Sequence, residues 1–292
     1  MSTAPAVAAL IAITGNFILS LGMAFQKRHV GWIGSTPKRS AGRPPDAERR
    51  RGGRFYRDFG AWFLGFMLVN VVPVFQYFAL TGLSTNVVGA AAGTSIGFTA
   101  ILAKFFLKER IGTRRLLWTI LLFAAIAAAG FLGEGGSSGA EDLSPAALYV
   151  FLGLPLALGA LLFALRGRFK GPRLAALLAA VSGCLGGFMV FPLRALQVDA
   201  DPSIAGWLSS PYLYTLLTAS ASSLILIQTA YKDGEMAAVA PAFYGMQVIW
   251  PALASYFVFD AKFLPVQTAA FVLVAVCVAV IAGVHPSSRA RA

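Results

Sequence analysis

Asn16 and Ser20 stand four residues apart in an apolar stretch, a spacing that puts both on one face of a helix. Gln26 follows near the end of the same stretch, Thr94 and Ser95 lie within G-T-S-I-G, and Arg194 closes a further apolar run. Pro241, Tyr244, Gln247, Pro251 and Ser255 form another group at helical spacing. Amides and hydroxyls in apolar surroundings need hydrogen-bond partners, so each either faces a cavity and binds a polar solute or bonds to a neighbouring helix. Pro251 has no N–H to give to the Gln247 carbonyl, which leaves a free backbone acceptor beside a side-chain amide. Interrupted helices of this kind are tolerated in membranes where they line a cavity. The candidate solute-binding set is therefore Asn16, Ser20, Gln26, Thr94, Ser95, Arg194, Tyr244 and Gln247. Arg194 would meet an anionic group or else snorkel to the membrane surface, as long cationic side chains at helix ends do.

Nucleophilic chemistry is the competing reading of G-T-S-I-G, which has the G-x-S-x-G form of a serine nucleophile. A serine needs a base within hydrogen-bond reach. The two histidines, His29 and His285, fall at the ends of apolar stretches, whereas Ser95 sits roughly 18 Å along a helix from its end. No H-E-x-x-H and no cluster of carboxylates is present either, so neither a catalytic residue nor a metal ligand is expected. Cys184 and Cys277 lie in apolar runs and read as small apolar residues rather than a disulfide or zinc pair. No cofactor is implied.

Composition fixes the setting of these residues. Of 292 residues, 58% are hydrophobic and 12% charged, against about 25% charged in a soluble domain. Runs of about 20 apolar residues, the length of a spanning helix, recur at Ala4–Gln26, Phe59–Ala103 (two spans), Leu143–Leu165, Leu174–Leu193, Pro202–Tyr231 and Met236–Phe259. Shorter or flanked runs at Leu116–Gly133 and Phe263–Val284 bring the expectation to nine transmembrane helices in an all-α polytopic bundle. Trp62, Trp118, Trp207 and Tyr212 would form interfacial belts. A long apolar run without a basic leader distinguishes the first span from a signal peptide.

The net charge of +12 does not point to nucleic acid once the charges are placed on this layout. One side takes 21 of the 24 Lys and Arg and six of the 12 acids, net +15; the other has one lysine and six acids, net −5. By the positive-inside rule the basic side is cytoplasmic, with the N-terminus outside and the C-terminus inside a plasma membrane. Residues 27–58 form the one long connection, basic and rich in Pro and Gly, read as a solvated topology anchor, with a gate or an anionic-lipid contact as the alternative.

An internal repeat relates Gln76 to Gln228 and Val87 to Val239, and approximately Glu109 to Asp260, at an offset near 152 residues. A-I-T-G-N at Ala12–Asn16 likewise matches A-V-S-G-C at Ala180–Cys184. Residues 1–170 then hold five spans and 171–292 four. Because five is odd, the second copy enters inverted, an architecture that recurs in secondary transporters. The third span also carries Gly89, Gly93 and Gly97, a doubled G-x-x-x-G expected to pack against another helix.

G-N-F-I-L-S-L-G-M-A-F-Q-K-R at Gly15–Arg28 and A-K-F-F-L-K-E-R-I at Ala103–Ile111 resemble the drug/metabolite transporter superfamily and, within it, the NIPA-like magnesium transporter family. The resemblance implies a bundle of two inverted halves and the transport of magnesium. One departure is consequential: where that family has G-E-x-x-N-F in the second span, this chain has Val72–Tyr77, with Pro73 at the acidic position. Magnesium binds through oxygen ligands, usually including carboxylates, and none of the expected spans has an interior Asp or Glu. The residues thus favour a secondary carrier of a small polar or amphipathic organic solute, with a magnesium transporter as the alternative. A membrane-embedded enzyme and a non-transporting scaffold rank lower, and a homodimer is left open. The layout is checked by labelling: Cys introduced between Lys27 and Asp58 should react only from the cytoplasm, and Cys between Glu134 and Asp142 only from outside. Reaction from the reverse sides overturns the orientation.

Overall fold

Where water is excluded, every backbone N–H and C=O needs an internal partner, and a helix supplies one within its own segment. A computed structural model describes residues 5–32, 45–83, 88, 91, 93–109, 111–131, 145–167, 171–199, 201, 203–259 and 263–283, and among these there is no strand. The helices are α1 (Pro5–His29), α2 (Pro45–Leu80), α3 (Thr94–Phe105), α4 (Thr113–Phe131), α5 (Pro145–Leu165), α6 (Pro172–Phe188), α7 (Val190–Asp199), α8 (Ile204–Ser209), α9 (Pro211–Asp233), α10 (Met236–Phe259) and α11 (Pro265–Gly283). Six helical stretches are long and apolar enough to cross a membrane: Pro5–His29, Phe55–Leu80, Leu148–Leu165, Pro172–Leu193, Pro211–Asp233 and Met236–Ala254. Leu154, Leu158 and Leu161 on α5, Leu117 and Ile120 on α4, and Leu217 and Ile225 on α9 stand exposed. So broad an apolar exterior suits contact with lipid and not with water. Cys184 and Cys277 are free and buried.

Two boundaries differ from the sequence reading. The run Leu174–Leu193 stays one spanning stretch but bends at Met189, which keeps φ −58 and ψ −21 between α6 and α7, because Pro192 has no N–H to return to the Phe188 carbonyl. The run expected from Pro202 divides into α8 and α9. Ser203 caps α8, accepting from Gly206 N at 3.0 Å, and Ser210 with Pro211 starts α9 afresh. A serine cap followed by proline at the first helical position is a helix-start signal that the hydropathy of the run conceals.

α1 lies along α2 and against α3, α6 lies along α9 and α10, and α4 packs on α11. Two crossings depend on glycine. A Cβ on Gly22 would stand 2.8 Å from Gly65 O, and one on Gly65 would stand 2.6 Å from Gly22 O, so α1 and α2 touch backbone to backbone. On α6, Gly183 and Gly187 abut the carbonyl oxygens of Phe243 and Gln247 of α10, leaving no space for a side chain. Small residues admit this approach, and without a hydrophobic force between helices in lipid the gain comes from packing. The packing role expected of the third-span glycines is not found at Gly97, where a Cβ would meet nothing within 4 Å. Gly93 is buried, and Gly89 lies outside the described residues. Gly183→Val should abolish expression or lower the melting temperature by many degrees, whereas Gly97→Leu should melt within a degree or two of the parent. Equal tolerance at both positions would show that the α6–α10 crossing is not close.

Candidate functional site

A cavity of about 270 Å³ lies between the helices, lined from one half by α1, α2 and α4 and from the other by α6, α7, α9, α10 and α11. It runs from Gln26, near the end of α1, to Leu80, the last residue of α2, and Phe263, two residues before α11. Its wall is mostly apolar, with Phe66, Phe191, Phe243 and Phe271 among the rings, and its polar groups are amides and serines: Gln26, Asn70, Gln76, Ser223, Gln247 and Gln267 among them. Among the described residues, no charged side chain lines it.

The sequence-derived candidates divide around this cavity. Gln26 and Gln247 line it; Asn16, Ser20, Thr94, Ser95 and Tyr244 do not. Asn16 Nδ2 donates to Ala91 O at 2.7 Å, and Ser20 Oγ reaches Ser95 O at 3.1 Å and Asn16 O at 3.0 Å. Ser95 Oγ donates to Asn16 O at 3.4 Å, and Thr94 Oγ1 donates to Ala91 O at 2.6 Å. Asn16, Ser20 and Ser95 thus join α1 to α3 and the residue Ala91 before it, the helix-bonding role that polar groups take in lipid, while Thr94 bonds within its own segment. The bonds also occupy Ser95 with backbone oxygens. Tyr244, fully enclosed, donates to Met23 Sδ at 3.2 Å and accepts from Thr99 Oγ1 at 3.5 Å. The side chains of Arg194 and Ser255 lie outside the described residues.

Gln228 and Trp62 are the residues whose role the sequence reading missed. Trp62 donates its indole N–H to Gln228 Oε1 at 2.9 Å, a bond between α2 and α9 instead of the expected interfacial one. Gln228 Nε2 in turn donates to Gln26 Oε1. Gln26 Nε2 and Gln247 Oε1, both shielded from solvent, have no hydrogen-bond partner among the described residues. An amide left this way costs about 1–3 kcal/mol, and a bound solute could recover that. Ser182 and Ser223 exchange hydroxyl-to-carbonyl bonds at 2.8 and 3.0 Å, holding α6 to α9 beside the cavity.

Beyond Gln26 the cavity is closed by charged contacts on a single turn, the one joining α9 to α10. Lys27 Nζ donates to Tyr231 O and Gly234 O at the C-terminal end of α9. Glu109 accepts from Met236 N and Ala237 N, each at 2.9 Å, at the N-terminal end of α10. Arg115 pairs with Glu235 at 2.7 Å. A cation at a helix C-terminus and an anion at an N-terminus each complement the helix dipole. Lys108, in the left-handed region at φ 58, turns the chain after α3 just before Glu109. His29 meets Asp58 at 3.1 Å in the same quarter. The connections assigned to the basic side after the first, third and seventh spans therefore meet at one end of the bundle.

No protein-family model matches the chain, and no curated protein or solved structure is similar to it. Asn16→Ala should lower the melting temperature, because it removes the donor to the partly buried Ala91 carbonyl at a cost of about 1–3 kcal/mol. Gln247→Leu, nearly isosteric at an amide oxygen already without a partner, should leave it unchanged or raised. Thermal unfolding of the purified variants in detergent checks both, and a fall with Gln247→Leu as large as with Asn16→Ala would make that amide a structural strut.

Proposed function

We propose that the chain is a secondary carrier moving a small polar or amphipathic organic solute by alternating access, in a nine-span bundle like that of the drug/metabolite transporters. The observation that carries this reading is a cavity bounded by both halves of the chain and sealed at one end by contacts that cross between them. A permanent pore would not have such a seal at the end of a binding-sized cavity. On this reading the basic end is cytoplasmic, and the contacts that close it form the inner gate.

An inverted repeat of residues 1–170 and 171–292 is supported by the two internal crossings. The offset of 152 residues that takes Gln76 to Gln228 also takes Ala91 to Phe243 and Ser95 to Gln247. In the first half Asn16 and Ser20 of α1 bond to the carbonyls of Ala91 and Ser95. In the second half Gly183 and Gly187 of α6 abut the carbonyls of Phe243 and Gln247. Corresponding carbonyls thus meet corresponding helices, through hydrogen bonds in one half and bare backbone contact in the other. A two-fold operation exchanging the halves also accounts for α4 packing on α11, its own counterpart. Carriers of this design rock one half against the other around a site at their interface.

Pro73, at the position acidic in the NIPA-like family, lines the cavity, and among the described residues no carboxylate does. An uncharged wall favours a solute without the strong hydration of a divalent cation. Proteoliposomes tested with labelled neutral and charged metabolites should show saturable counterflow of an uncharged solute and no uptake of millimolar magnesium. Saturable magnesium uptake would replace this reading with cation transport; no flux of any solute would leave a scaffold.

A further inference from the structure

The cavity carries a directional preference that its composition alone does not reveal. An indole N–H can only donate, so the atom of Gln228 facing Trp62 is its oxygen. That turns Gln228 Nε2 toward Gln26 and requires the atom of Gln26 that meets it to be Oε1. Gln26 is therefore held with Nε2, a donor, as its free end. Amide orientations are ordinarily ambiguous between the two flips; here a donor-only ring removes the ambiguity through two successive bonds. Gln26 is 1% exposed, lines the cavity, and its Nε2 has no partner among the described residues.

From this relay we propose that Gln26 Nε2 is the polar anchor of the site, and that the ligand is an uncharged amphipathic molecule whose carbonyl or ether-type oxygen accepts from it. Trp62 and Gln228 act as positioning residues that set the polarity of that anchor. The proposal rests on the carrier reading for its biological sense, though not for its chemistry. Three properties of the wall define the ligand class. Its aromatic and aliphatic lining suits an apolar body, and among the described residues it holds no charge to offset the desolvation of an ion. The volume, about 270 Å³, lies just below the roughly 300–1,000 Å³ of drug-sized sites, so the molecule is metabolite-sized. Gln247, whose Oε1 is likewise unpartnered among the described residues, has no fixed neighbour there to set its flip and can serve either polarity.

The test uses two small neutral probes of opposite polarity: acetophenone, which accepts and cannot donate, and indole, which donates through its N–H. Binding of each to the full chain in nanodiscs is measured by titration calorimetry, with empty nanodiscs correcting for partition into lipid. Acetophenone should bind saturably to the parent. Gln26→Met should weaken it by about two- to ten-fold while leaving indole unchanged. Trp62→Phe keeps an aromatic ring on α2 but releases the relay, so it should cut acetophenone affinity and spare or improve that of indole. A structural role for Trp62 would instead move both probes together. Absence of acetophenone binding to the parent, equal changes for both probes, or no change in either variant overturns the proposal. Should Gln26→Met fail to fold, the Trp62→Phe ratio decides alone. Flux of a charged solute in proteoliposomes without acetophenone binding removes this site and leaves the carrier; acetophenone binding with the predicted ratios but no flux of any solute removes the carrier and leaves the site.

Discussion

A single turn, Tyr231 to Ala237, holds the two halves together at the basic end, and the geometry of the cavity follows from it. Lys27 grips the carbonyls that end α9, while Glu109 grips the amides that begin α10. Each charge sits where the helix dipole favours it, for about 0.3–1 kcal/mol at a surface and up to about 2 in partly buried positions. Arg115 adds an ion pair to Glu235, whose half-exposed carboxylate makes that pair the weakest member. Since Gln26 adjoins Lys27 and Gln228 lies one turn before Tyr231, the clamp also brings together the amides at the cavity's closed end. On the carrier reading, a grip made of a few charge–dipole contacts is one that can be released.

Within each half the helices are held by close backbone approach or by side-chain bonds to carbonyls, and away from the clamp the halves also meet where Tyr244 bonds Met23 and Thr99, Trp250 bonds Phe151 O and α4 packs on α11. Gly22 meets Gly65, and Gly183 and Gly187 lie against α10; Asn16, Ser20 and Ser95 join α1 to α3. Interfaces of this kind do not slide easily, because displacement strands buried polar groups or drives backbone into backbone. The contrast suits a carrier in which rigid halves move about a clamp that can be released.

How much of this was legible beforehand depends on whether a residue's environment lies along the chain or across it. Apolar runs mark helices directly, and Pro192 implies the bend after Phe188. The start of α9 at Pro211 was also legible, in Ser210 and Pro211, yet uniform hydropathy masked it. Asn16 and Ser20 show which face of α1 is polar; nothing in their spacing says that α3 rather than a cavity lies opposite. Gly97 has the spacing of a packing glycine but faces open space, since a G-x-x-x-G marks a smooth face without saying which helix, if any, meets it. Trp62, near a span end, reads as a belt residue until Gln228, 166 positions later, is placed beside it. Gln228 itself stood out only as the repeat counterpart of Gln76.

The central claim is that the clamp opens and closes while the halves remain folded. Spin labels at Arg28→Cys and Lys232→Cys, exposed residues on either side of it, report that motion as a distance in a background with the two native cysteines replaced. Pulsed electron–electron resonance in nanodiscs should give two distances, with the longer gaining population when Glu109→Gln weakens the grip on α10. A single narrow distance, unchanged by Glu109→Gln, would contradict the account.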